Sequence, residues 1–201
     1  SHSGAGRIAK LRMRTMSLAE TGESSASVSL AGLFDGRFEP ALVQQRLAPL
    51  AETICRGGWP ALRNADFNKA SRYLDSYFDA VFETSVPRRG LDGGESRRVA
   101  QSLARNLGMS AKLATIGTDA FSDELSKATI EKRAAEHIAA LEALYVVESV
   151  AGWDAPIRSK SRLRTKPKRY FADPSLAASL LHVDPQRLVS DGQLFGMLFE
   201  A

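Results

Sequence analysis

One cysteine, Cys55, is all the thiol chemistry in these 201 residues, so no internal disulfide and no multi-cysteine zinc or iron–sulfur site can form. Long apolar runs are missing too. The longest resemble Ala143-Leu144-Tyr145-Val146-Val147, far short of the ~20 residues a membrane-spanning helix needs. None of the fifteen glycines is followed by lysine, which excludes the phosphate-cradling G-x-x-x-x-G-K-[ST] loop. No lysine has an acid two residues before it, and G-x-S-x-G and H-E-x-x-H are absent. The three histidines, His2, His137 and His182, are scattered and read as surface or structural side chains. No catalytic residue and no metal ligand set is therefore assigned. No secretory signal is visible, so the chain reads as cytoplasmic, and a start at Ser1-His2-Ser3 reads as part of a longer protein.

With 44% apolar and 25% charged residues, the composition is that of a folded globular chain, not a disordered one. Its charge is unevenly placed. Arg158, Lys160, Arg162, Arg164, Lys166, Lys168 and Arg169 form one run without an acid, and Arg7, Lys10, Arg12 and Arg14 another. These two segments hold eleven cations, so with a total of +4 the remainder carries −7. Basic segments on an acidic body favour an anionic partner at those places.

The periodicity predicts a mainly α protein. Ile8 to Leu18 reads as an edge strand, and Ser17-Leu18-Ala19-Glu20 has the capping-box form of a short helix. Val43, Leu47, Leu50 and Ile54 make one helical stripe, started near Pro40 and stopped by Gly57-Gly58. Phe67, Ala70, Leu74, Tyr77 and Val81 make the next, widened by Phe78 and Phe82. Val99, Leu103 and Leu107 make a third, and Pro87 to Gly94 is the best internal boundary. Helices over 111–118 and 130–141 precede a strand at 145–150, the basic run, and a strand at 170–172. That order is the order of a winged-helix domain. Asp173 and Asp184 each precede proline, the signature of an N-cap followed by a first-turn proline. The predicted units are 1–37, 38–87 and 95–201.

Three features are candidates for function. His2 to Arg7 is a loop of small residues whose amides, with Arg7, could meet a phosphate; the alternative is an untethered terminus. Gly57-Gly58-Trp59-Pro60 is a turn that buries Trp59, or a ligand contact. Residues 158–169 would line one side of an extended hairpin and neutralise DNA phosphates, dock on an acidic protein face, or lie solvated.

The strings Arg7 to Leu18, Val28 to Gly36, Gly57-Gly58-Trp59-Pro60, Ala140 to Glu148, Leu163 to Leu176 and Phe195 to Glu200 resemble predicted bacterial AAA-type ATPases that carry the domain of unknown function 4143. The resemblance implies the end of an ATPase core, a helical lid and a winged-helix-like domain. It also implies an upstream P-loop core and a downstream nuclease-like domain as partners, with ATP and magnesium bound by the parent alone. It places Arg7 near a γ-phosphate sensor. Three functions are then expected: an inactive lid and regulatory portion, a DNA-binding winged helix, or an assembly domain self-associating through the aromatic helix at 67–82.

Overall fold

The computed structural model describes residues 11–37, 46–121, 124–152 and 166–200. Among them the chain is mainly α, with ten α-helices and one two-stranded sheet. No helix is long and apolar enough to cross a membrane.

Residues 11–17 form no helix and pair in no sheet, which corrects the edge strand expected there. Apolar alternation is not enough, because a strand needs a neighbour to accept its ladder, and here one backbone bond, Met16 N–H to Gly58 O at 2.7 Å, is made. Helix α1 (Leu18–Thr21) follows with the expected capping box between Ser17 and Glu20. Helix α2 (Leu30–Phe34) is capped by Ser29, whose hydroxyl accepts from Gly32 N–H. Residues 11–37 are called the arm below.

Helix α3 (Leu47–Arg56) buries Ala51, Ile54 and Cys55 and ends at Gly57. Helix α4 (Phe67–Asp79), capped by Asp66, runs on through a π-helical stretch at Ala80–Ser85. Helix α5 (Gly93–Arg105) is capped by Asp92. It packs against α6 (Leu113–Ala120) and α7 (Lys127–Ala143), which also pack on each other. Strand β1 (Val147–Val150) pairs antiparallel with β2 (Lys168–Phe171), with Val147 opposite Phe171 on the core side. The expected order of helix, helix, strand, intervening segment and strand is thus present.

Asp173 and Asp184 cap α8 (Pro174–Leu180) and α9 (Pro185–Ser190), and α10 (Gly192–Glu200) closes the described chain. Helix α8 is the hub. Five of its seven residues are buried, and it touches α3, α4, α5, α10 and β2. Ser175, Ala177 and Ala178 make this crowding sterically feasible, because small side chains let several elements approach one helix. The resulting core is continuous from α3 to α10, across the turn at 87–94.

Candidate functional site

The Gly57-Gly58-Trp59-Pro60 turn joins three parts of the chain. Asp173 is 2% exposed, and its Oδ2 accepts from Gly58 N–H at 2.9 Å. Its Oδ1 accepts from Ser175 N–H at 2.9 Å and from the Ser175 hydroxyl at 2.6 Å. Trp59 Nε1–H donates back to Ser175 Oγ at 3.0 Å. One carboxylate therefore caps α8 and fastens the end of α3 to it. Gly57 sits at φ 73°, and a Cβ there would fall 2.2 Å from Asp173 Oδ1. A Cβ on Gly58 would fall 2.1 Å from the Met16 carbonyl oxygen. Both glycines are needed for close approach, one to the cap and one to the arm. Trp59 stands against Tyr77 with ring centroids 5.2 Å apart, so the turn is structural.

The arm is seated across this junction. Arg12 and Arg14 both pair with Glu148, at 3.0 and 2.8 Å, and the Glu148 side chain is only 12% exposed. Arg12 also lies over the Tyr145 ring. Further along, Glu23 pairs with Arg56 and accepts from Thr53. Polar contacts hold the arm, while its apolar side chains point outward. Fourteen large apolar residues are exposed among the described residues, and seven of them (Leu11, Met13, Leu18, Val28, Leu30, Leu33 and Phe34) lie within 11–34. Leu30, Leu33 and Phe34 have the spacing of one helical stripe, with Phe34 86% exposed. Beside the arm lies a groove of about 300 Å³ between α1, α3 and α10, floored by Ile54 and Leu198 and rimmed by Leu18 and Phe199.

The chemistry-bearing side chains elsewhere are sealed. Ser96 Oγ lies 2.6 Å from His137 Nδ1, and Glu95 Oε2 lies 3.3 Å from Nε2. A carboxylate can only accept, so Nε2 carries the proton and the Ser96 hydroxyl donates to Nδ1. This has the residue types of a hydrolase triad, yet Ser96 is fully buried and His137 is 2% exposed, so no substrate reaches either. Burial pushes the His137 imidazole below its ordinary value, with the Glu95 carboxylate opposing. Arg133 binds Glu95 with both carboxylate oxygens and covers Phe121. Burial also pushes the Cys55 thiol up to about 12, with Asp184 adding to it, so this cysteine is not a nucleophile. Among the described residues no group of acids, histidines or cysteines could hold a metal ion.

Of the predicted anion contacts, Arg7, Arg158, Lys160, Arg162 and Arg164 lie outside the described residues. Lys166 is exposed. Lys168 pairs with Glu200 at 2.8 Å, and Tyr170 donates to the same Glu200 oxygen. Arg169 donates to the Ala111 carbonyl at 3.1 Å, and burial lowers its pKa. Two of the three described cations are thus engaged by the protein itself. On the aromatic helix expected to self-associate, Phe78 and Phe82 stack at 5.5 Å within the core, while Phe67 and Tyr77 are half-buried and Tyr73 is exposed. Sequence periodicity marks an apolar face without saying whether it turns inward. The exposed apolar side chains of the arm were missed because Leu11 and Met13 read as strand alternation.

A family model for a domain of unknown function, DUF8612, matches residues 48–187, which is 140 of the 201 residues. The chain belongs to this family. Membership corrects the resemblance to AAA-type ATPases carrying the domain of unknown function 4143, because the model that matches is a different one. Two of the strings behind that resemblance, Gly57 to Pro60 and Asp173-Pro174-Ser175, are the two halves of the junction in this chain and lie within the matched residues. Their residues meet packing and capping demands. The γ-phosphate role of Arg7, the ATP and magnesium, and the P-loop and nuclease-like partners rested on that resemblance alone and lose its support. No curated protein and no solved structure matches the chain.

Proposed function

We propose that this chain is a non-catalytic protein-interaction module whose contact element is the arm. The concentration of half the exposed large apolar side chains in residues 11–34 carries the reading. Isolated surface leucines are ordinary, but their concentration on one segment points to a protein partner. The arm's anchoring supports the same reading. Arg12, Arg14 and Glu23 tie residues 12–23 to the body, so Met13 and Leu18 are presented on a held segment. The sealed state of Ser96, His137 and Cys55 fits a role without chemistry. A photo-crosslinking residue at position 34, introduced in cells that make the protein, tests it. A defined protein adduct is expected there and not at exposed Ala139 on α7. Equal or no labelling at the two positions overturns the reading.

A second reading, a DNA-binding winged helix, is favoured by one observation. In sequence the paired strands β1 and β2 flank five of the seven cations, and Lys168 and Arg169 lie in β2 itself, beside three mutually packed helices. The outer face of α7 weakens it. That face carries Lys127 and Lys132 with Glu131 and Glu136 among alanines, so it offers phosphates no net attraction. A salt-sensitive shift of duplex DNA, lost on changing Arg162, Arg164 and Lys168 to alanine, would promote this reading. No shift at low salt would remove it.

A further inference from the structure

We infer that the cleft lined by Trp59, Pro60, Tyr77, Tyr145 and Glu148 is a receptor site for an arginine-bearing peptide of a partner protein, and that residues 12–16 of the arm fill it in cis. The inference goes beyond the interaction-module reading and stands without it, because the site lies on the body and not on the arm's apolar side chains. Geometry shows what the cleft accepts. The Arg12 guanidinium lies 5.2 Å from the centre of the Tyr145 ring and 3.0 Å from Glu148 Oε1, and Arg14 donates to Oε2 at 2.8 Å. An aromatic face beside a largely buried carboxylate is the chemistry that selects a guanidinium. The main chain takes part as well, since the Gly58 carbonyl accepts from Met16 N–H.

Two details mark the site as more than an anchor for the arm. Tyr145 follows Leu144, the C-cap of α7, with φ 59°; its N–H reaches the Glu142 carbonyl and the Val146 N–H reaches the Leu141 carbonyl. Glycine is the unstrained residue in that left-handed turn. The sequence instead holds a tyrosine there, 64% exposed, with its ring against Arg12, so the strained position serves a cation-facing ring. The second detail is Glu148 Oε1, which is buried and receives no hydrogen bond, because Arg12 lies near it without aligning a donor. A better-directed guanidinium would satisfy that oxygen, and about 290 Å³ of the cleft is open beside the arm. The arm can also give way. No side chain of residues 11–37 belongs to the hydrophobic core, and the side chains of Arg12 and Arg14 are 40% and 62% exposed. Ion pairs that exposed contribute little and weaken with salt. A second copy's arm gains nothing by entering, because each copy already holds the same segment at the ~mM effective concentration of a tethered chain. A foreign segment that aligns a donor on Oε1 gains a bond that Arg12 does not make.

Fluorescence anisotropy with a labelled peptide of residues 11–17 tests the proposal on the full chain carrying Arg12→Ala and Arg14→Ala, which vacates Glu148. Saturable binding is expected, at least about tenfold tighter than to the unsubstituted chain, whose own arm competes. Adding Glu148→Gln should remove most of it. Adding Tyr145→Gly, which relieves the left-handed strain and keeps the fold, should weaken it about threefold through loss of the ring. A peptide with glutamine at both arginine positions should not bind. The unsubstituted chain gives a readout that needs no variant: peptide at ~mM concentration, matching the tethered arm, should speed hydrogen exchange at the Met16 amide. No binding to the vacated chain, binding indifferent to Glu148→Gln or to loss of the peptide's arginines, or Met16 exchange unmoved by peptide would each overturn the site. Crosslinking at position 34 judges the interaction-module reading separately, and its failure leaves this site standing.

Discussion

Replacing Asp173 with alanine should cost this protein a large part of its stability, and the junction shows why. The carboxylate receives three donors: Gly58 N–H, Ser175 N–H and the Ser175 hydroxyl. The site is 2% exposed, so water cannot take over these roles without opening the fold. The hydroxyl can turn elsewhere, but the two amides cannot. Leaving each buried amide unpaired costs about 1–3 kcal/mol, and the loss of the α8 cap is part of the same sum. Asp173→Ala should therefore cost about 3–5 kcal/mol, against ~5–15 kcal/mol for a typical domain. Asp173→Asn separates the two jobs. Its amide oxygen can still receive the Ser175 donors, which preserves the cap, but its NH₂ then faces Gly58 N–H, donor against donor. About half the alanine penalty should remain. Urea unfolding followed by circular dichroism, with an unchanged slope, measures both. An alanine cost under about 1 kcal/mol, or an asparagine variant as stable as the parent, would refute the bridge between α3 and α8.

Three more outcomes follow from neighbouring features. Gly58→Ala would bring a Cβ within 2.1 Å of the Met16 carbonyl oxygen, so the arm must lift. The Met16 amide should lose hydrogen-exchange protection, and residues 11–17 should become protease-sensitive while the helical core stays folded. Cys55, buried and held as a thiol, should resist iodoacetamide until denaturant unfolds the chain; rapid alkylation of native protein would contradict its placement. His137 sets a pH dependence. Its folded pKa is depressed by burial, while the unfolded histidine takes a proton near pH 6.5. The unfolded state therefore binds more protons, and stability should fall as pH drops from about 6.5 toward the lower folded value. The groups facing it, Glu95, Arg133, Asp92 and Ser96, stay in place in a His137→Gln variant, which should lose this part of the slope.

Local signals were legible in the sequence where the chemistry is local. The two Asp-Pro steps at 173 and 184, and Ser17 with Glu20, announce helix starts because cap and capped amide lie within three residues. The helical stripes were legible for the same reason. The junction was not. Gly58 and Asp173 are 115 residues apart, and nothing local to either says that they meet. Gly57-Gly58 read as a simple helix stop, whereas each glycine is there for a close approach from another segment. Residues 11–17 read as a strand because alternation says nothing of whether a partner strand is there. The basic run read as one unit, yet Glu200 takes Lys168 and the Ala111 carbonyl takes Arg169, both supplied by distant elements.

The central claim is that the arm's apolar side chains are covered when the protein works. Hydroxyl-radical footprinting of Met13 and Phe34, in the cell and in dilute purified protein, measures that directly. Both are nearly fully exposed in the isolated chain, while Met109 on the body is 45% exposed and serves as the internal reference. The account predicts that Met13 and Phe34 are oxidised much less in the cell, with Met109 unchanged. Equal oxidation of all three in both settings would contradict it.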